Sequence, residues 1–565
     1  MNDKKKSFLS GAAVLGAAGL MVQVLGAIFR IPLANIIGEV GMGYFQTAYP
    51  VYIFLLVFST NGAPAAISKM ISERIANGYE HEARRVFKLS FAVMLFFGVI
   101  ASATVALTAK PLSVLVRSEG SYYSLLAISP ALFFVPIMAV FRGYFQGKQE
   151  MRPTAVSQLA EQFVRVAVGL GLAGILVSSS LELAAAGACA AASIGPVIGL
   201  SVLAFVYMTY ETGRKPLSGA QMPNGTRNGV TTRENIEFIK ERSGASVQTS
   251  PSGPFKEPSF KILKDLAVLT FPTTIGISIL PIMNVADMLL CRVRLIDSGF
   301  SVIDAETIYG LMSGFASPII NIPMALALSI GLSLIPAVAA ANSVGDTEFL
   351  KKNISMGFRT AIIIGVPCSF GLMTLAAPIL RLIYPSFREE AGNAASYLMI
   401  LAGGVIFLCV AQTMAGILQG LGKASLPVVS LLAGFILKSV LTYVLTAMPT
   451  LNINGATIGS FAGFALIGIM NLFFVIKTAN IKFDLMLSVL KPVLSGAIMS
   501  FLAAVIYLSC QRIVGDGFAT LLGVCGGAAA YCVLILKFQA ILAEEIESLP
   551  KGKRLVKVLK TLRLL

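Results

Sequence analysis

The chain has 565 residues, 56% of them hydrophobic and only 13% charged, with a mean hydropathy of +0.81. Soluble domains run near 45 to 50% apolar and about 25% charged, so a water-soluble globular fold is excluded. The formal net charge of +16 is then read as membrane orientation and attraction to anionic lipid, with no nucleic-acid partner, and seven scattered cysteines without a CxxC pair give neither a disulfide framework nor a metal site.

Read at roughly 20 apolar residues per span, the sequence predicts an all-α polytopic membrane protein of about fourteen transmembrane helices. They fall near residues 8–30, 44–66, 87–109, 122–142, 154–178, 182–210, 262–290, 308–340, 354–378, 394–418, 427–448, 455–476, 486–510 and 517–542. Lys4-Lys5-Lys6 precede the first stretch, which is too long for a signal-peptide core and runs straight into Arg30-Ile31-Pro32, so it is read as a span. With spans alternating from a cytoplasmic N-terminus, only Arg30, Lys110, Arg117, Arg292, Arg294, Arg381, Arg388 and Arg512 of the 44 Lys and Arg fall on the outer side, and only Arg165 and Lys438 within spans. That bias places both termini in the cytoplasm.

Along the chain, helix breakers stand in the second span (Gly62, Pro64), the seventh (Pro272, Pro281) and the eighth (Pro323). They are hinge candidates, with static kinks as the alternative. Residues 211–259 are rich in Gly, Pro, Ser, Thr and Asn and read as a flexible cytoplasmic linker, with Thr231 and Glu234 spaced as a capping box. The last residues place Leu555, Val558, Leu559 and Leu562 on one helical face among Lys and Arg, an amphipathic tail for the inner leaflet.

Arg142-Gly143-Tyr144-Phe145-Gln146-Gly147-Lys148 reappears in weaker form as Ala415-Gly416-Ile417-Leu418-Gln419-Gly420-Leu421, and in the same register Ser157 meets Ser430 and Arg165 meets Lys438. Two related bundles rocking about a central site are a transporter's design. The expected division is an N-terminal lobe over 1–210 (spans 1 to 6), the linker, a C-terminal lobe over 260–478 (spans 7 to 12), an added helix pair within 479–545 and the tail 546–565. The added pair either pads a lobe or forms a groove for a long hydrocarbon tail.

Charge within hydrocarbon costs roughly 2.5 to 3.5 kcal/mol per residue on insertion scales, so every intramembrane ionisable group is a candidate. Gln158, Glu161, Gln162 and Arg165 share one face of the fifth span, with Glu161 and Arg165 an i,i+4 pair; the face either lines a wet cavity or fixes helix packing. Lys438 in the second half, Asp287 late in the seventh span, Arg30 after the first and Arg292 at the end of the seventh are further cavity candidates. Arginine's planar fork suits phosphate oxygens, while snorkelling to the interface is the other reading of Arg292. No phosphate-binding loop of the GxxxxGK[ST] form, nucleophile elbow or carboxylate cluster with metal spacing occurs in the sequence.

The stretch from Val135 through Arg142-Gly143-Tyr144-Phe145-Gln146-Gly147-Lys148 to Ala155-Val156-Ser157-Gln158-Leu159-Ala160-Glu161-Gln162-Phe163-Val164-Arg165, with Gly62-Ala63-Pro64-Ala65-Ala66-Ile67-Ser68-Lys69, resembles the stage V sporulation protein B and MurJ-type lipid II flippase group of the multidrug/oligosaccharidyl-lipid/polysaccharide exporter superfamily. The likeness covers nearly the whole chain. It implies a non-enzymatic transporter in the bacterial plasma membrane that moves an undecaprenyl-diphosphate-linked sugar from inner to outer leaflet by alternating access, for peptidoglycan or spore cortex. Another polysaccharide-precursor exporter and a cation-coupled multidrug antiporter are the alternatives on this fold. The resemblance implies no cofactor, coupling to a Na+ or H+ gradient or to membrane potential, and, as partners, the lipid-linked substrate, anionic lipids and cell-wall synthesis enzymes. Arg30 resembles the first-helix arginine of the group's cationic cavity. Ile31 stands where relatives carry an acid, and Tyr52 to Thr60 lack their paired arginines, which leaves Arg165, Arg142 or Lys438 to substitute.

Overall fold

The computed structural model describes residues 2–60, 62–212 and 257–540. Most of the 211–259 linker and all of the basic tail lie outside the described residues. In a bilayer every backbone N–H and C=O must be satisfied within its own segment, which long apolar runs achieve only as helices; among the described residues there is no strand.

In chain order the helices are α1 (Asn2–Thr60), α2 (Gly62–Ala76), α3 (Glu80–Leu115), α4 (Tyr122–Ile128), α5 (Ala131–Gly147), α6 (Met151–Leu176), α7 (Leu181–Thr212), α8 (Ser259–Asp297), α9 (Val302–Gly310), α10 (Ser317–Val344), α11 (Thr347–Thr374), α12 (Ala376–Ile383), α13 (Arg388–Asn393), α14 (Ala395–Gly403), α15 (Val405–Gly420), α16 (Ser425–Thr446), α17 (Ile453–Ala479), α18 (Lys491–Val514) and α19 (Asp516–Lys537). Eleven helical segments among the described residues are long and apolar enough to cross a membrane, or twelve when α14 and α15, bent by 40°, count as one span. The protein is a multi-span, all-helical membrane protein.

The first expected loop, 31–43, is instead helical: α1 continues to a break at Gly38 (φ 66°, ψ −171°). A β-carbon there would meet the Phe387 ring at 2.8 Å, so both backbone conformation and space require glycine. The expected loop between spans 7 and 8 is short as well. Ser301 caps α9 by accepting from the Asp304 amide, and a π-helical turn over Leu311–Ala316 joins α9 to α10.

Two ends of the bundle follow from the helix boundaries. At the Gly38 end, residues 39–47 pack against α9 and the π-helical turn so closely that a β-carbon on Gly310 would overlap the Glu39 carbonyl oxygen. Asn35 donates to the Ile383 carbonyl (3.0 Å), Gln46 donates to the Ser313 carbonyl (2.7 Å) and Arg117 pairs with Asp297 (3.1 Å) across this end. The opposite, Arg74 end carries the α2–α3 and α5–α6 turns and the start of α8.

Candidate functional site

The polar face of α6 is built as its spacing predicts. Two glycines of α7 let that helix lie flat on it: a β-carbon on Gly195 would come within 2.9 Å of the Glu161 carbonyl, and one on Gly199 within 3.3 Å of Ser157 Oγ. Glu161, 8% exposed, is thereby held between two guanidinium groups. Arg165 Nη2 donates to its Oε1 at 2.7 Å and Arg142 Nη2, from α5, donates to its Oε2 at 2.8 Å. Arg142 Nη2 also reaches Ser157 Oγ (3.2 Å), and Arg165 Nη2 reaches the hydroxyl of the fully buried Tyr52 (3.1 Å).

Two guanidinium groups sharing one carboxylate leave an excess of one positive charge. The Nε atoms of Arg142 and Arg165 and Oε1 of Gln158 are buried without a hydrogen-bond partner, so the cluster retains unused donors and one unused acceptor. It forms the polar wall of a cavity of about 410 Å³. Gln146, Gln158 and Gln162 share that wall; the other side is Val22 and Ile53 of α1, Pro64 of α2 and Met138 of α5.

Of the expected cavity residues, the structure brings together Arg142, Gln158, Glu161, Gln162 and Arg165. The remaining four lie elsewhere. Arg30 is half-buried beside Tyr49, its guanidinium carbon 5.1 Å from the ring centroid, with no ion pair among the described residues. Lys438 and Asp287 pair with each other at 2.6 Å between α16 and α8. Arg292 neither snorkels nor lines the chamber: it is 0% exposed, donates from Nη2 to Glu306 Oε1 and to the Gly43 carbonyl, both at 2.7 Å, and lies 4.4 Å over the Tyr309 ring. Glu306 was missed because hydropathy places it in a loop; the signal was the Ser301-x-x-Asp304 cap, which starts a helix early enough to bury it.

Among the hinge candidates, Pro64 lines the chamber and Gly62 packs on α8, where a β-carbon would overlap Thr274 Oγ1. Pro281 is buried in α8 and Pro323 in α10; α8 runs through Pro272, whose side chain is outside the described residues. A second, apolar cavity of about 320 Å³ lies among α10, α11, α18 and α19, walled by residues such as Ile319, Pro323, Leu375, Met499 and Val524.

Residues 8–342 match the family model described as polysaccharide biosynthesis protein, and residues 313–444 match the MatE model. Two proteins of Bacillus subtilis (strain 168) are similar: stage V sporulation protein B, 26% identical over 98% of this chain and 99% of that protein, and the lipid II flippase MurJ, 29% identical over 81% of this chain and 80% of that protein. A solved structure titled lipid II flippase MurJ, inward closed conformation, superimposes with a TM-score of 0.64 at 16% identity, covering 93% of this chain and 99% of that one. The chain belongs to the polysaccharide biosynthesis protein family.

Proposed function

We propose that this protein flips a polyprenyl-diphosphate-linked sugar, lipid II or a related cell-wall precursor, from the inner to the outer leaflet of the bacterial plasma membrane. The observation that carries the reading is the Arg142–Glu161–Arg165 cluster on a cavity wall: buried guanidinium forks with unused donors and net positive charge suit a diphosphate. The names of the B. subtilis relatives support the substrate class. The apolar cavity beside α18 and α19 is suited to the polyprenyl tail. Export of cationic drugs on the same fold fits less well, because a cation would face two guanidinium groups.

In this reading the chain makes fourteen spans, with 2–37, 39–76 and α8 each counted as one, in two six-helix lobes and an added pair. The N-terminus and the Arg74 end face the cytoplasm. The chamber opens toward that end while the interlocked Gly38 end is shut; Gly62, Pro64, Pro272, Pro281 and Pro323 flex as the ends exchange, and an ion gradient or the membrane potential drives the cycle.

The test is flipping of a fluorescent lipid-linked diphosphate sugar in reconstituted vesicles. One charge-assisted hydrogen bond contributes about 1.5 to 3 kcal/mol, so Arg142→Gln and Arg165→Gln should each slow flipping by about 10- to 150-fold while the purified protein elutes as the parent does. Parental rates in both variants would overturn the assignment.

A further inference from the structure

At the Arg74 end a second pair of arginines, which the chamber does not use, holds one glutamate, Arg74 by its carboxylate and Arg85 by its backbone carbonyl. Arg74 of α2 and Arg85 of α3 converge on Glu257, just ahead of α8. Arg74 Nη2 donates to Glu257 Oε2 and Arg85 Nη1 to the Glu257 backbone carbonyl, while Arg85 Nη2 donates to Ser259 Oγ at 2.7 Å. Arg74 is 9% exposed; its Nη1 donates to the Met70 carbonyl at 2.9 Å and its Nε is buried without a partner. Beside it is a cavity of about 510 Å³ whose lining includes Lys69, Glu73, Lys261 and Asp265, with Lys69 3.8 Å from Glu73. Glu82 completes the charges here, 3.5 Å from Arg85.

With Glu257 present the acids and bases of this cluster balance; without it the bases exceed the acids by one. Only Arg74 meets the Glu257 carboxylate, while Arg85 is bonded to a backbone carbonyl and a hydroxyl; a phosphate, with three oxygens and a higher charge, can engage both forks and the unused Arg74 donor. Glu257 itself ends a long polar segment, so it can leave without unpacking a helix.

We propose that the Arg74–Arg85 clamp is a receiving site for a phosphate or diphosphate group, filled in this conformation by Glu257, and that the carboxylate and the phosphate exclude one another. The site goes beyond the chamber and does not depend on it. Ten residues of α2 separate Arg74 from Pro64 on the chamber wall, about 15 Å of helix, so a headgroup held at the clamp waits at the chamber's mouth, and its arrival unties the start of α8 from α2 and α3.

The experiment uses the full chain in phosphatidylcholine nanodiscs, with Arg142→Gln and Arg165→Gln in the background so that the chamber is silent, and inorganic pyrophosphate as the probe, followed by phosphorus NMR line broadening. Adding Glu257→Gln should tighten pyrophosphate binding by about tenfold or more, and adding Arg85→Gln or Arg74→Gln should abolish the gain. Arg85 is the safer of the two for folding, being the more exposed. Repeating the titration in phosphatidylglycerol nanodiscs separates the sources: suppressed pyrophosphate binding means that lipid headgroups take the clamp, and unchanged binding means that free phosphate does. Equal binding before and after the Glu257→Gln change, or a gain that survives the loss of either arginine, overturns the proposal. Flipping is not part of the readout, so failure of the chamber reading and failure of this one remain distinct.

Discussion

Glu306→Gln should be among the most damaging conservative changes in this protein, and replacing both members of its pair should be far milder. Arg292 is wholly inaccessible and the Glu306 side chain is 3% exposed. Arg292 Nε and Nη1 have no partner, so the charge is balanced by one carboxylate at 2.7 Å and one carbonyl at the same distance. With an effective dielectric of about 20, a unit pair at that separation attracts by roughly 6 kcal/mol. Glutamine keeps the shape and loses the charge, leaving a buried guanidinium against dipoles alone; such losses run about 3 to 5 kcal/mol. Arg292→Met with Glu306→Met removes both charges and fills most of the volume, and should cost about 1 to 2 kcal/mol or less. The chain has no tryptophan, so unfolding is best followed by size-exclusion recovery after heating. Because Arg292 also ties α8 to the Gly43 carbonyl, Glu306→Gln should expose the neighbouring buried Cys291 to a thiol reagent, read by peptide mass spectrometry. A single variant that melts with the parent and keeps Cys291 protected, or a double variant worse than the single, would refute the reasoning.

Three further outcomes follow from the same geometry. Gly38→Ala forces a side chain into a backbone region costing about 1 to 3 kcal/mol and against Phe387, so its melting temperature should drop, with Phe387→Leu restoring part of the loss but not all. Lys438→Met strands the Asp287 carboxylate and should reduce folded yield sharply, while adding Asp287→Asn should recover most of it; no recovery would mean that the lysine serves something other than Asp287. Gly310→Ala needs its helix to back away from the Glu39 carbonyl, and should raise Cys291 labelling without disturbing pyrophosphate binding at the Arg74 end.

What the sequence made legible was what is local. The apolar runs set the helices, and the i,i+4 spacing of Glu161 and Arg165 placed both on one face before any packing was known. Arg142 joins them from another helix, 19 residues before Glu161, and the motif likeness, not periodicity, brought it forward. Asp287 with Lys438 and Arg74 with Glu257 are contacts between residues 151 and 183 apart. No window on the sequence reports such pairs, because each charge reads alone as a cost. Arg292 shows the failure most sharply: at the end of an apolar run an arginine looks like an anchor at the interface, and only the early start of α9 converts it into a buried pair.

The distribution of these pairs also argues for where an anion belongs. Arg292 with Glu306 and Lys438 with Asp287 are one-to-one, and the first is sealed by close packing: a β-carbon on Gly43 would overlap Glu306 Oε1. Neutral pairs hold helices together and leave no surplus charge for a ligand to meet. The Arg142–Glu161–Arg165 cluster differs, with a surplus charge and a cavity before it. In the sequence register that sets Arg142-Gly143 on Ala415-Gly416, Arg165 falls on Lys438: the lysine's charge is cancelled by one acid, while the arginine shares its acid with a second arginine. An uncompensated guanidinium in a low-dielectric site is costly unless something negative arrives, and that is the physical ground for proposing that the diphosphate is met at Arg142 and Arg165.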